Sequence, residues 1–196
     1  RLKECAIRQA YSDPRSRMRG RWEELVCALY SRGVVDFSRS KGEELIEFFF
    51  VPKKDGRLRM VADCMRSNCR FTDPAHVSLC TGETLGSLEL DQDASLFLEE
   101  ADLCNAFYHM HLPPALRRFF SLTPVRAGSL GITELDGKKV TAVTMLRPRL
   151  KVVPMGWTWA LWWCQRIHER LVLSVGGLEE SRLQDRRAPP ALSEAT

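Results

Sequence analysis

One acidic residue stands at the end of a short apolar run, in a position suited to metal chemistry. The apolar residues at 96–98 are soon followed by Asp102, which stands between Ala101 and Leu103. This pattern predicts a buried strand that ends on one carboxylate. A buried charge needs a metal, a partner or a proton to offset its desolvation. Asp102 could equally cap the helical turn that carries Phe107 and Tyr108, because Asp accepts backbone N–H bonds there. Taken alone, the position favours the cap.

A second group of charged residues surrounds a predicted turn. Strand-forming residues at 46–51 and 58–62 flank Lys-Lys-Asp-Gly at 53–56, and Asp-Gly is a strong hairpin signal. The hairpin tip could bind phosphates through charge-assisted hydrogen bonds. Lysines at a sheet edge also discourage aggregation, which is the commoner role for a hairpin taken alone. The cations concerned are Lys53, Lys54, Arg57 and Arg59.

Four potential zinc ligands lie between residues 64 and 80, namely Cys64, Cys69, His76 and Cys80. Their C-x4-C-x6-H-x3-C spacing lacks the C-x2-C pair typical of structural zinc sites and disfavours zinc. Seven cysteines without a regular framework are typical of thiols in a reducing compartment, which predicts a cytoplasmic or nuclear protein that is not secreted. We find no signal-peptide pattern and no apolar stretch of the roughly 18 to 20 residues that a membrane helix needs.

Several predicted elements would position these residues. Apolar residues from Trp22 to Tyr30 recur at helical spacing, which predicts an amphipathic helix that Gly33 ends. A short helix with Thr81 as its N-cap is predicted over 81–90. The residues at 119–122 predict a strand, and 140–153 an extended segment interrupted at 147–149.

The turn at 154–156 is followed by a predicted helix from Trp157, apolar around its first half. We expect its first two turns to be buried. Its four tryptophans could stack on bases, although a buried helix is the commoner use of such a cluster. The tryptophans are Trp157, Trp159, Trp162 and Trp163.

The composition predicts one folded module with two different ends. The chain has 196 residues, 44% hydrophobic, and a net charge of +4, which permits a polyanionic partner without requiring one. Residues 1–21 form a basic arm that we expect to be mobile without a partner. Residues 22–173 would form the folded module, and the polar, proline-containing residues 174–196 a disordered tail.

Three sequence blocks together resemble the fingers and palm of reverse transcriptases from retrotransposons and retroviruses. VPKKDGRLRMVADCMRSN at 51–68 is similar to the fingers hairpin that holds the incoming triphosphate. ADLCNAFYHMHLP at 101–113 is similar to the palm motif with the first catalytic aspartate, and VVPMGWTWALWWCQ at 152–165 to the Pro-x-Gly turn and helix that position template and nucleotide. The resemblance implies an α+β fold: a fingers hairpin plus a partial palm, with an antiparallel sheet packed on helices.

Carried over by position, the resemblance implies two-metal phosphoryl transfer with Mg²⁺. Asp102 would be the catalytic metal ligand, with the backbone carbonyl of Leu103 as a second ligand. An aromatic ring at Phe107 would exclude a ribose 2′-hydroxyl and so select deoxynucleotides. The other implied contacts are with the nucleotide, by Lys53 or Lys54, Arg59, Met155 and Gly156, and with nucleic acid, by Arg57, Arg66 and Trp157.

One departure from the family limits the implied activity. Family members carry a Tyr-x-Asp-Asp hairpin that completes the metal site, and no Asp-Asp pair occurs in this chain. The sequence therefore predicts a fragment of an RNA-directed DNA polymerase, truncated before that hairpin and inactive as an isolated chain. Its partners would be an RNA or DNA template-primer, a deoxynucleoside triphosphate and the missing remainder of the polyprotein.

Two other hypotheses belong to different classes of protein. A non-catalytic nucleic-acid-binding domain derived from a retroelement would use the Lys/Arg clusters for salt-sensitive affinity, and the change Asp102→Asn would leave that affinity intact. A vestigial protein-interaction domain would use the tryptophan-rich helix as its contact surface and show no such affinity.

Overall fold

The computed structural model describes residues 10–11, 13–14, 18, 20–90, 92, 95–97 and 100–175. The predicted tail lies outside the described residues apart from 174 and 175, and the predicted arm is described only at 10–11, 13–14, 18, 20 and 21. The chain divides into two compact units, one from 1–73 and 105–160 and the other from 74–104 and 161–196. Among the described residues, no helix has the length and apolar character to cross a membrane.

The first helix forms where the periodicity predicts it. α1 spans Arg21–Ser31 and buries Val26 and Leu29. Gly33, at φ +71°, ends it in a left-handed turn. The N–H of Gly33 then bonds to the carbonyl of Tyr30, and the N–H of Val34 to the carbonyl of Leu29, so the last helical carbonyls are satisfied.

The basic hairpin is confirmed. β2 (Glu47–Pro52) and β3 (Leu58–Asp63) pair antiparallel, with Phe48 opposite Ala62 and Val51 opposite Arg59. Gly56 takes φ +78° at the turn, a conformation that its missing Cβ allows at little cost. Phe48 and Ala62 point into the main core, and the strand ends near the turn are exposed.

A separate antiparallel sheet has the order β1-β7-β4, from β1 (Val35–Ser38), β4 (Val125–Arg126) and β7 (Met145–Leu150). The predicted interruption at 147–149 is wrong, because β7 runs straight through Pro148 as the central strand. A small hairpin of β5 (Glu134–Leu135) and β6 (Lys138–Lys139) follows β4.

The predicted strand at 119–122 is replaced by a 3₁₀ turn, Arg117–Phe119, and isolated bridges at Ser121. Ser121 bridges Arg149 on one side and Leu45 on the other. Phe120 and Leu122 are nonetheless fully buried, so the apolar pattern identified their burial but not their backbone conformation.

Four more helices are short or lie mostly in the second unit. α2 (Met65–Asn68) and α4 (Ala106–His109) are single turns in the first unit. In the second unit, α3 (Gly82–Gly86) begins at Thr81, whose hydroxyl accepts from the Thr84 N–H, which confirms the predicted cap. α5 spans Ala160–Leu173, three residues later than predicted. Of its residues only Ala160 is buried, so the expected burial of its first two turns is wrong.

The predicted strand ending on Asp102 is also wrong. Residues 95–97 and 100–103 have no regular structure, and Phe97 and Leu103 are 90% and 68% exposed. A strand needs a hydrogen-bonded neighbour as well as an apolar face, and none of the described strands pairs with this segment. The mixed helix and antiparallel-sheet composition confirms the predicted α+β class at that coarser level.

Candidate functional site

Two of the sequence blocks meet where the turn at 154–156 lies on strand β3. The Ala62 N–H donates to the carbonyl of Met155 at 3.0 Å. Gly156 has φ +122°, and a Cβ built on it would lie only 2.1 Å from the carbonyl oxygen of Ala62. Glycine is therefore required here for two reasons, its backbone conformation and the close approach of β3.

The Asn68 side chain stabilises the turn at 154–156 through two hydrogen bonds. Its Nδ2 donates to the carbonyl of Gly156 at 3.0 Å, and its Oδ1 accepts from the Thr158 N–H at 3.1 Å. One side-chain amide thus satisfies two backbone groups of the turn and orients it on α2. Asn68 lies in the first sequence block, but residue spacing gives it no role there because spacing does not reveal a partner 88 residues away.

An open cavity of about 460 Å³ lies beside this junction. Its wall combines apolar and hydrogen-bonding groups, among them Phe49, Val61, Asp63, Asn68 and Thr158. The Asp63 carboxylate accepts from the backbone N–H of Tyr11 at 2.7 Å and from that of Met65 at 3.1 Å. A planar ligand with polar edges could therefore contact both apolar and hydrogen-bonding groups in this cavity.

The cations of the hairpin tip divide into engaged and accessible groups. Arg57 pairs with Asp55 within the turn at 2.6 Å, and its guanidinium lowers the pKa of the Asp55 carboxyl below the ordinary value. Lys54 and Arg59 are exposed and Lys53 is half-buried. By strand alternation Arg59 lies on the same hairpin face as Val61 and Asp63, which line the cavity.

Arg66 lies in an ion cluster that sequence analysis missed. The Glu44 side chain, 3% exposed, accepts from Arg66 Nε at 2.9 Å and pairs with Arg70 at 2.5 Å. These two arginines are four residues apart, a helical spacing that could have suggested a shared acidic partner. The predicted contact of Arg66 with nucleic acid stays a prediction, since its guanidinium here supports α2.

Trp157 lies in the core of the first unit. It is 5% exposed and packs edge-on against Phe71 and Phe120, with ring centroids 5.4 and 5.3 Å away. The buried ring packs under the turn at 154–156 rather than facing solvent. Its contact with nucleic acid stays a prediction. Phe107, on α4, packs against the same core while half-buried. Burial raises the pKa of the neighbouring Tyr108 phenol.

The proposed metal ligands lie in the other unit, and their role stays a prediction. Asp102 and Leu103 are exposed. Among the described residues, no group of three His, Cys, Asp or Glu side chains is arranged to hold a metal ion. The described residues therefore do not fit a two-metal centre, and we derive no reaction step through one.

The cysteines behave differently from one another. Cys64 is buried behind Gly156, and burial raises the pKa of its thiol. Cys69 is disulfide-bonded, so the expectation that all seven cysteines are thiols is wrong. A cysteine count does not reveal which pairs the fold brings within bonding distance. The free thiols among the described residues are Cys27, Cys64, Cys80, Cys104 and Cys164.

Comparisons with known proteins identify the fold alone. No family model matches the chain, and no curated protein matches it in sequence. Among solved structures it is similar to a foamy viral protease-reverse transcriptase solved in complex with double-stranded DNA, with a TM-score of 0.54 and 16% identity over 87% of this chain. The chain spans 25% of that viral chain. The likeness indicates a reverse-transcriptase-like fold.

Proposed function

We propose that the chain is a fingers and partial-palm module of an RNA-directed DNA polymerase, which binds a template-primer and a deoxynucleoside triphosphate. The observation that carries this proposal is the junction of β3 with the Met155–Gly156 turn. Two blocks that resemble the family meet there through the Ala62–Met155 hydrogen bond, and Asn68 orients the turn. The reverse-transcriptase-like fold supports the same assignment.

Each residue would act through ordinary binding chemistry. Lys53 or Lys54, with Arg59, would neutralise the triphosphate, since charge-assisted hydrogen bonds to phosphate are among the strongest in proteins. Met155 and Gly156 would lie against the nascent base pair, and Phe107 would exclude a ribose 2′-hydroxyl. Arg57 would bind nucleic acid only after exchanging its bond with Asp55, which makes its contribution smaller.

By the resemblance, Asp102 and the carbonyl of Leu103 would be the Mg²⁺ ligands, but the described residues do not form a two-metal centre, so we propose no step of phosphoryl transfer through them. Mg²⁺ is commonly held by one or two carboxylates together with substrate phosphates. The sequence has no Asp-Asp pair to supply the further carboxylates. We therefore propose that these 196 residues bind substrates without extending a primer.

A primer-binding assay tests the substrate assignment. We would measure ternary-complex formation on a labelled RNA–DNA template-primer as deoxynucleotide is added. The change Lys53→Ala with Arg59→Ala should weaken nucleotide retention by tenfold or more, because each lost charge-assisted bond contributes about 1.5–3 kcal/mol. The matched control is Lys138→Ala with Lys139→Ala, which removes two exposed lysines from the other hairpin. Equal losses in both variants would contradict the proposal.

Primer extension with Mg²⁺ tests the catalytic assignment. Neither the wild-type chain nor Asp102→Asn should extend the primer. Extension by the wild type that Asp102→Asn abolishes would overturn the expected inactivity and show that the Asp102 carboxylate is required for it.

A non-catalytic nucleic-acid-binding domain is the second candidate. It is favoured by the exposure of Asp102 and by the absence, among the described residues, of three side chains arranged to hold a metal ion. It predicts template-primer binding that neither deoxynucleotide nor Asp102→Asn changes. Nucleotide-dependent strengthening in the ternary-complex assay would exclude it.

A further inference from the structure

One face of strand β7 carries a row of basic side chains. Along the strand, Leu146, Pro148 and Leu150 are buried, and the alternating positions point to the other face of the sheet. Lys151 continues this alternation, since its N–H bonds to the carbonyl of Val34 as the next rung of the β1–β7 ladder. We call the half-buried side chains of Arg147, Arg149 and Lys151 the basic strip.

The charge of the basic strip is not balanced within the sheet. Asp36 lies opposite Arg149 in the register, but its carboxylate pairs with Arg117 at 2.5 Å. Among the described residues, none forms an ion pair with any of the three strip cations. The one carboxylate among the outward positions of β1 and β7 is therefore already paired with Arg117, and an outside polyanion could supply negative charge to the basic strip.

Arg149 is held in place before any ligand binds. Its Nη2 donates to both the carbonyl and the hydroxyl of Ser40 at 3.1 Å. Its Nε is buried with no hydrogen-bond partner among the described residues. The Arg149 guanidinium is therefore ordered before binding, and its charge is not neutralised by a carboxylate of the described residues. A ligand that binds it would not have to offset the entropy of ordering this side chain.

The geometry of the basic strip points to a linear partner. Successive side chains on one face of a strand are about 6.7 Å apart, so the three cations span about 13 Å. A small anion could contact only one or two of them, whereas a chain of regularly spaced phosphates could contact all three. We propose that the basic strip binds the phosphodiester backbone of a nucleic acid, as a second contact on a sheet separate from the fingers hairpin.

This proposal rests on the proposed function only in naming a nucleic acid as the partner. No aromatic side chain lies among the outward positions of β1 and β7. These two strands therefore offer no surface for base stacking, and binding at the strip should be independent of sequence and strongly dependent on salt.

The experiment measures the salt dependence of binding to a fluorescein-labelled DNA duplex by anisotropy. The strip variant is Arg147→Gln with Lys151→Gln, which leaves the Arg149–Ser40 contact in place. The control is Lys138→Gln with Lys139→Gln, which removes the same charge from exposed positions elsewhere. Each lost phosphate contact lowers the slope of log K against log salt by about 0.9 on duplex DNA.

We expect the strip variant to lower the slope by about 1.8 and the control to leave it unchanged. Between about 50 and 200 mM salt, the variant should then lose about tenfold less affinity than the wild type does. Thermal unfolding of each variant, followed by circular dichroism, establishes that it is folded.

The outcomes separate the two proposals. If the strip variant is folded, still binds DNA and has the same slope of log K against log salt as the wild type, then the basic strip does not bind DNA. The proposed function is unaffected by that result. An equal fall in strip and control variants also overturns the proposed binding at the strip, because the effect would then follow net charge rather than position. If the wild type shows no salt-dependent binding, both proposals fail.

Discussion

At the scale of single residues, the candidate site depends on two small side chains. Gly156 allows the turn to lie against the carbonyl of Ala62, and Asn68 satisfies the two backbone groups that this approach exposes. Neither residue carries charge or reactive chemistry. Their contribution is to position the Met155 backbone on β3 and to shape one wall of the cavity.

The change Gly156→Ala should lower the free energy of unfolding by about 3 kcal/mol. The new Cβ would meet the Ala62 carbonyl oxygen, and φ +122° is unfavourable for any residue with a Cβ. Urea denaturation followed by tryptophan fluorescence measures the change.

Gly56→Ala is the control for that substitution. Gly56 also has a positive φ, +78°, but a Cβ there meets nothing within 4 Å. Its cost should be about 1 kcal/mol, from the backbone conformation alone. Similar costs at both positions would contradict the close approach of β3 and the turn.

At the scale of elements, several short pieces are held by polar contacts that lie outside regular secondary structure. α2 has only four residues, too few for a stable helix by itself. Arg66 and Arg70 attach it to Glu44, and the Ser67 hydroxyl donates to the carbonyl of Phe119. Because Asn68 belongs to α2, this attachment also fixes the turn at 154–156.

The change Glu44→Gln should lower the free energy of unfolding by about 2–3 kcal/mol. A neutral amide leaves two guanidinium groups beside a buried position without their anion. The cost is below that of breaking a fully buried pair because the arginine side chains are 34% and 47% exposed. The control Glu43→Gln, at the exposed neighbouring position, should change the free energy of unfolding by less than about 0.5 kcal/mol.

Urea denaturation of the two variants measures this difference. Equal stability of Glu44→Gln and Glu43→Gln would show that α2 does not depend on the ion cluster.

Local signals predicted the elements that depend on local interactions. The 53–56 turn, the α1 stripe with Gly33 and the Thr81 cap each involve residues within a few positions of one another, and all three formed. The predicted strand ending at Asp102 was wrong because a strand requires a distant pairing partner, which an apolar run does not specify. For the same reason Asn68 and Glu44 were missed, since their partners lie far away along the chain.

At the scale of the whole molecule, the described apolar core belongs to one unit. Every residue of the two hydrophobic clusters lies in the unit formed by 1–73 and 105–160. In the described part of the other unit, Thr84 is the one buried residue. On α5, Trp163 and Ile167 are exposed, so the helix gains little from packing.

Hydrogen exchange measured by mass spectrometry should therefore separate the two units. Backbone amides of α5 beyond Ala160 should exchange orders of magnitude faster than those of β7, which is bonded on both sides. The amides of β3 provide an internal reference in the first unit. Protection of α5 equal to that of β7 would contradict the assignment of stability to a single core.

The geometry of the β2–β3 hairpin also has a mechanical consequence. The hairpin is fixed at its root by Ala62, which bonds to Met155, and four further residue pairs follow the Phe48–Ala62 pair, the last of them Pro52–Leu58. At about 3.3 Å per residue this lever arm is about 13 Å long, so a rotation of about 10° at the root would move the tip lysines by about 2 Å. A rotation at the root would therefore move the tip several times farther than it moves the Phe49–Val61 pair, which lines the cavity next to the pivot.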